Sequence, residues 1–92
     1  HFNNMFNGCT SLTTAPTLPA TTLADNCYQN MFNGCTNLNY IKCLATNKSA
    51  SDCLLNWTNG VAASGTFVKA AGSSWSTGTS GIPSGWTVKV AE

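Results

Sequence analysis

Nine residues from Asn4 to Leu12, NMFNGCTSL, return from Asn30 to Leu38 as NMFNGCTNL, with one change and an offset of 26 positions. A period between roughly 20 and 50 residues marks arrays in which each unit packs on the next. The register runs past the motif. Leu12 falls on Leu38, Ala15 on Ile41 and Leu18 on Leu44, while His1 and Phe2 fall on Cys27 and Tyr28. A third, worn copy puts Cys53 on Cys27, Asn56 on Asn30, Trp57 on Met31, Asn59 and Gly60 on Asn33 and Gly34, and Phe67 on Ile41. Chance duplication does not hold one register through three copies.

Each copy divides in two. Asp25, and Ser51 in the same column, are placed to cap a short helix, since both side chains accept from free backbone N–H groups. Cys27, Tyr28, Met31, Phe32 and Cys35 follow at helical spacing on one stripe. Gly8, Gly34 and Gly60 each follow an Asn, where a left-handed residue would end such a helix. The other half, Leu12 to Leu18 and Leu38 to Leu44, is too short for a second helix. Pro16 forbids a helix interior there and leaves an extended strand with one missing donor. One such unit cannot bury its apolar stripe alone, and about three must stack before they hold. The expected fold is therefore an α/β solenoid: a short stack of about three 26-residue strand-plus-short-helix units with an irregular β cap at the C-terminus. Its expected extents are 1–71 for the repeats and 72–92 for the cap. Within the first, a partial repeat starts at 1, full repeats lie near 12–37 and 38–63, and a worn strand covers 64–71.

The motif CYQNMFNGCTNL, with APTLPATTL between copies, resembles the BspA-like leucine-rich repeats of bacterial surface proteins, which carry an aromatic residue, a Gly-Cys pair and a leucine in this order. The ending GTFVKAAGSSWSTGTSGIPSGWTV resembles the C-terminal close of such arrays. The likeness covers nearly the whole chain. It implies a right-handed solenoid with a parallel sheet on one face, and adhesion or host-protein binding at a cell surface; related repeats occur in phage proteins. It brings no fixed functional residues. The third copy departs from the pattern, with Thr58 in the Phe32 column and Val61 in the Cys35 column.

Composition narrows the functional classes. Only 8% of the 92 residues are charged, against about 25% in an average globular protein. Net charge is +1 and arginine is absent, so no basic patch exists to neutralise phosphates, and nucleic acid is not an expected partner. No apolar run approaches the roughly 20 residues of a membrane span. The chain opens on His1 rather than Met, which reads as a processed product or a piece of something longer. Solubility rests on Asn, Thr and Ser.

Residues 72–85 shift to Ser, Gly, Thr and Pro, which is loop chemistry. The alternation of Trp86, Thr87, Val88, Lys89 and Val90 then reads as a final strand. Trp75, Ile82 and Trp86 have no place in the repeat columns. They are expected to fold over the open end of the stack, and Trp75 and Trp86 are alternatively a platform for sugar rings.

Enzymatic chemistry finds little to work with. Cys9 shares a column with Cys35, and Cys27 with Cys53, so the repeat accounts for these four of the five cysteines as small core residues. An odd count argues against a full disulfide framework. There is no CxxC and no histidine beyond His1, so no zinc spacing and no internal Cys-His pair. Asp25 and Asp52 stand at the expected helix starts, and Glu92 ends the chain. No enzyme activity, cofactor or metal is expected.

The function expected is a non-enzymatic adhesion or ligand-binding module, extracellular or at a bacterial cell surface or on a phage virion. The alternative is a structural cap or stalk domain of a larger surface or phage fibre protein. Candidate contacts are the outward strand residues Thr14, Tyr40 and Thr66, then Pro16, Lys42 and Val68, with Trp75 and Trp86 as platform or cap. Expected partners are a host protein or glycan, and preceding repeats of the chain or another copy.

Overall fold

Asn4 and Gly8, then Asn26, Asn30 and Gly34, then Asp52, Asn56 and Gly60, all take φ between 53 and 82°. A left-handed residue every fourth position is incompatible with an α-helix, whose N–H groups must all point one way along the axis. The computed structural model, which describes residues 3–91, accordingly contains no helix among the described residues. His1, Phe2 and Glu92, and with them the alignment of the first two on Cys27 and Tyr28, lie outside the described residues. This corrects the expected α/β solenoid of strand-plus-helix units. The molecule is a compact globule of 29 × 25 × 20 Å with three short parallel strands in one sheet.

Three runs of tandem turns, over 3–8, 25–34 and 51–60, stand where helices were expected. In the second run, the N–H groups of Cys27, Met31 and Cys35 close onto the carbonyls of Ala24, Tyr28 and Phe32. Each closes a four-residue turn with Asn26, Asn30 or Gly34 third, the position that demands positive φ in a type II turn and so selects Asn or Gly. The alternate N–H groups are thereby turned sideways. Those of Asn4, Phe6 and Gly8 donate to the carbonyls of Gln29, Met31 and Asn33 at 2.8–3.0 Å. Those of Asn26, Tyr28, Asn30, Phe32 and Gly34 donate to Ser51, Cys53, Leu55, Trp57 and Asn59 at 2.9–3.0 Å. Asp25 caps no helix: its Oδ1 accepts from the Ser51 N–H at 3.0 Å, tying the second run to the third. The approach is close enough that a Cβ on Gly34 would lie 3.5 Å from the Gly8 Cα.

Opposite the turn runs lies the sheet, with β1 (Tyr40–Cys43), β2 (Thr66–Lys69) and β3 (Thr87–Val90) in that order and all parallel. Tyr40 pairs with Thr66 and Thr66 with Thr87. Leu12 to Leu18 forms no strand; Thr14 and Leu18 make single parallel bridges to Tyr40 and Cys43. Pro16 has no N–H to give, so the segment is held instead by Ala15 N–H on the Tyr40 carbonyl (2.9 Å) and Leu18 N–H on the Lys42 carbonyl (3.0 Å).

Between turns and sheet runs one apolar core that includes Met31, Phe32, Leu38, Ile41, Trp57 and Phe67. An aromatic column threads it: Phe6 on Phe32 at 5.7 Å, Phe32 on Trp57 at 5.8 Å, Trp57 on Trp75 at 5.9 Å. Trp57 thus meets Phe32, although the sequence register set it in the Met31 column. Thr58, which replaces the phenylalanine, turns its hydroxyl onto the carbonyls of Thr79 (3.1 Å) and Gly81 (3.3 Å). The loop carrying them closes the third run. Ser80 Oγ accepts from Asn56 N–H, the Thr79 carbonyl from Thr58 N–H, and the Gly81 carbonyl from Trp57 Nε1. At the opposite end, no N–H among the described residues reaches the carbonyls of Asn3, Met5 and Asn7.

Candidate binding face

Parallel pairing in register puts alternate strand residues on one outer face. Ile41, Cys43 and Phe67 point to the core and are fully buried. Tyr40, Lys42 and Thr66, on the other side of the pleat, are half-buried. Thr14, Tyr40 and Thr66 therefore stand side by side in one row, with Lys42 and Val68 paired in another. Five of the six candidate face residues keep accessible surface. Val68 does not: it is buried between its cross-strand partners Lys42 and Lys89, whose methylene stems suit cover of an apolar neighbour. Pro16 is exposed in the first extended segment.

The row borders a shallow depression of about 530 Å³ lined by Thr14, Asn39, Tyr40, Ser64, Gly65 and Thr66. Its groups are hydroxyls, an amide and a phenol ring, all uncharged. Gly65 shapes it, since a Cβ there would fall 2.6 Å from the Asn39 carbonyl oxygen and 2.8 Å from Trp86 Cε2. Asn39, Ser64 and Gly65 escaped the sequence reading because they lie in the connections that lead into β1 and β2. The Gly that precedes the alternating stretch TFVK was the available signal.

The two tryptophans are placed differently. Trp86 is buried, with Nε1 donating to the Ala62 carbonyl at 2.8 Å, so burial leaves no open ring face for a sugar. Trp75 is half-buried, stacks on Trp57, meets Phe67 edge-on at 4.9 Å and has the Lys48 ammonium 4.6 Å from its ring centroid. Its exposed part borders a groove of about 270 Å³ that also contains Asp52, Ser76 and Ser80.

A third concavity, about 470 Å³ and apolar, opens beside the first turn run. Met5 and Phe6 form one wall, Pro16 to Ala20 the other, and Tyr28 and Met31 line it as well.

All five cysteines are free. Burial pushes the thiols of Cys27, Cys35 and Cys53 up, and that of Cys43 up to about 11, which keeps them protonated and poorly nucleophilic at neutral pH. Cys35 Sγ donates to the Phe6 carbonyl. Among the described residues no group of three or more His, Cys, Asp or Glu side chains is placed to hold a metal ion. No helix among them is long and apolar enough to cross a membrane.

No family model, curated protein or solved structure matches the chain. The likeness to BspA-like repeats thus rests on the motif residues themselves.

Proposed function

We propose that this chain is a non-enzymatic binding module, extracellular or surface-borne, whose contact surface is the outer face of its sheet. The supporting observation is the convergence of Thr14, Tyr40 and Thr66 on one polar depression. Such a lining offers donors, acceptors and one aromatic ring without a fixed charge. That suits a neutral glycan or the backbone of a host protein better than an ionic ligand. A screen on glycan and host-protein arrays tests it, comparing the chain with a Tyr40→Ala, Thr66→Lys double variant of unchanged melting temperature. A ligand bound by the parent and lost by the variant supports the reading. A ligand bound equally by both, or none at all, removes it.

The second reading is architectural: a cap or stalk domain that docks end-on to a preceding unit or another copy. It draws on the apolar concavity beside Met5 and on the adjacent carbonyls of Asn3, Met5 and Asn7, which no N–H reaches among the described residues. Sedimentation of the chain beside a Met5→Asp variant separates the two readings. Self-association abolished by the substitution favours architecture; a monomer in both cases favours the sheet face.

A further inference from the structure

The pair Asn-Gly closes each turn run, at Asn7–Gly8, Asn33–Gly34 and Asn59–Gly60. The three glycines have nearly the same φ, 77, 81 and 82°. Chemistry and local shape are therefore matched, and the surroundings differ. Gly8 N–H donates to the Asn33 carbonyl at 2.8 Å, and Gly34 N–H to the Asn59 carbonyl at 2.9 Å. Gly60 N–H has no partner among the described residues, because the closing loop reaches Asn56 and Thr58 and stops there. The side chains follow the same division. Asn7 Nδ2 donates to Asn4 Oδ1 at 3.3 Å and Asn33 Nδ2 to Asn30 Oδ1 at 3.4 Å. In the third run, Asn56 Oδ1 is engaged by the Thr79 hydroxyl instead, and the exposed Asn59 amide makes no bond among the described residues.

We propose that Asn59 is a spontaneous modification site, converted through a cyclic imide to aspartate and isoaspartate while Asn7 and Asn33 are protected by the fold. The Gly60 backbone nitrogen loses its proton and attacks the Asn59 side-chain carbon Cγ. The N–Cγ bond forms, the Cγ–Nδ2 bond breaks, and ammonia leaves with the proton. Water then adds to either carbonyl of the five-membered imide and opens it to one of the two acids. No oxidant or catalyst is needed. Glycine in the attacking position has no side chain to hinder the approach. At Gly8 and Gly34 the same nitrogen must first surrender a hydrogen bond, and its proton is held in that bond.

Two consequences follow for the molecule. The new carboxylate takes the net charge from +1 to zero. Isoaspartate also inserts a methylene into the backbone at the residue whose carbonyl holds Gly34 N–H, which loosens the joint between the second and third runs.

The test is a time course of the intact chain in mildly alkaline buffer below its melting transition, read by peptide mapping. Mass spectrometry scores the amide-to-acid increment at each pair, and isoaspartyl methyltransferase labelling scores the isomer. Asn59 is expected to convert about tenfold faster than Asn7 or Asn33, the factor one net hydrogen bond supplies. In denaturant the three rates are expected to converge. Equal rates in the folded chain, or Asn7 or Asn33 leading, overturns the assignment. So does an Asn59 lead that persists in denaturant, because it would then belong to sequence neighbours rather than to the fold. An Asn59→Gln variant is expected to lose the acidic shift on isoelectric focusing, and retention of that shift counts against the site.

Discussion

The first and second copies of NMFNGCT carry the same seven residues in different surroundings. Met5 is 56% exposed and Met31 1%; Phe6 is partly covered and Phe32 fully; Cys9 is open to solvent and Cys35 is not. The second copy has a turn run on either side of it, while the first has one on a single side. Identical letters thus acquire burial from what lies beside them. A turn run has no interior of its own, and its apolar side chains become core only where a neighbouring run closes over them.

Paired substitutions put numbers on that contrast. Phe32→Ala, which empties a site between Phe6 and Trp57, is expected to cost about 3–5 kcal/mol. Phe6→Ala, with one ring partner, is expected to cost about 1–2 kcal/mol by denaturant midpoint. Equal costs would break the comparison. The methionines extend it to a flexible side chain: about 2–4 kcal/mol for Met31→Ala, and within about 0.5 kcal/mol for exposed Met5→Ala.

Alkaline titration sharpens the contrast differently, because the groups concerned sit in the second copy. Burial pushes the Cys43 thiol up to about 11 from 9.0 and the Tyr28 phenol up to about 12 from 10.0, in the latter case with the neighbouring Cys43 and Cys27 adding to the rise. Between these values the unfolded chain releases a proton that the folded chain keeps. Stability is therefore full below pH 9 and falls as pH rises through about 11, with the phenol extending the fall towards about 12. The loss attached to Cys43 is on the order of 2 kcal/mol. Melting temperatures across this window check it, and Cys43→Ala should flatten the lower part of the curve. The first copy has Thr17 in that column, which does not titrate.

The smallest effect on stability gives the plainest readout. A thiol reagent added to the native chain is expected to label Cys9 rapidly and the buried Cys27, Cys35, Cys43 and Cys53 only after denaturant. Rapid native labelling of Cys35 would show that the first run does not stay over it.

The sequence carried the neighbour relations better than the local conformation. An offset of 26 positions is the register in which Tyr40 meets Thr66. The stripe of Cys27, Tyr28, Met31, Phe32 and Cys35 misled because a spacing of four suits a helix face and a train of four-residue turns alike. The residues that decide between them, Asn26, Asn30 and Gly34, look like ordinary polar filler. Only their own spacing of four marks them as left-handed positions. The sheet row of Thr14, Tyr40 and Thr66 was legible for the same reason as the register. Asn39, Ser64 and Gly65 were not, because connections have no column to be read from. Thr58 and Trp57 show a third limit: the backbone register holds, with Gly34 N–H on Asn59 as Gly8 N–H is on Asn33, but the Trp57 side chain reaches Phe32 from the neighbouring column while the Thr58 hydroxyl turns to the closing loop.

The sideways hydrogen bonds of the turn runs all have the same sense, donor before acceptor along the chain. The molecule is consequently vectorial, like a bar magnet whose poles differ. Lone pairs lead at the Met5 end, and of the trailing donors those of Asn56 and Thr58 are met by Ser80 and Thr79. Two copies brought nose to nose would oppose acceptor to acceptor, so a two-fold contact through that end is frustrated, and anything seated there must arrive tail-first.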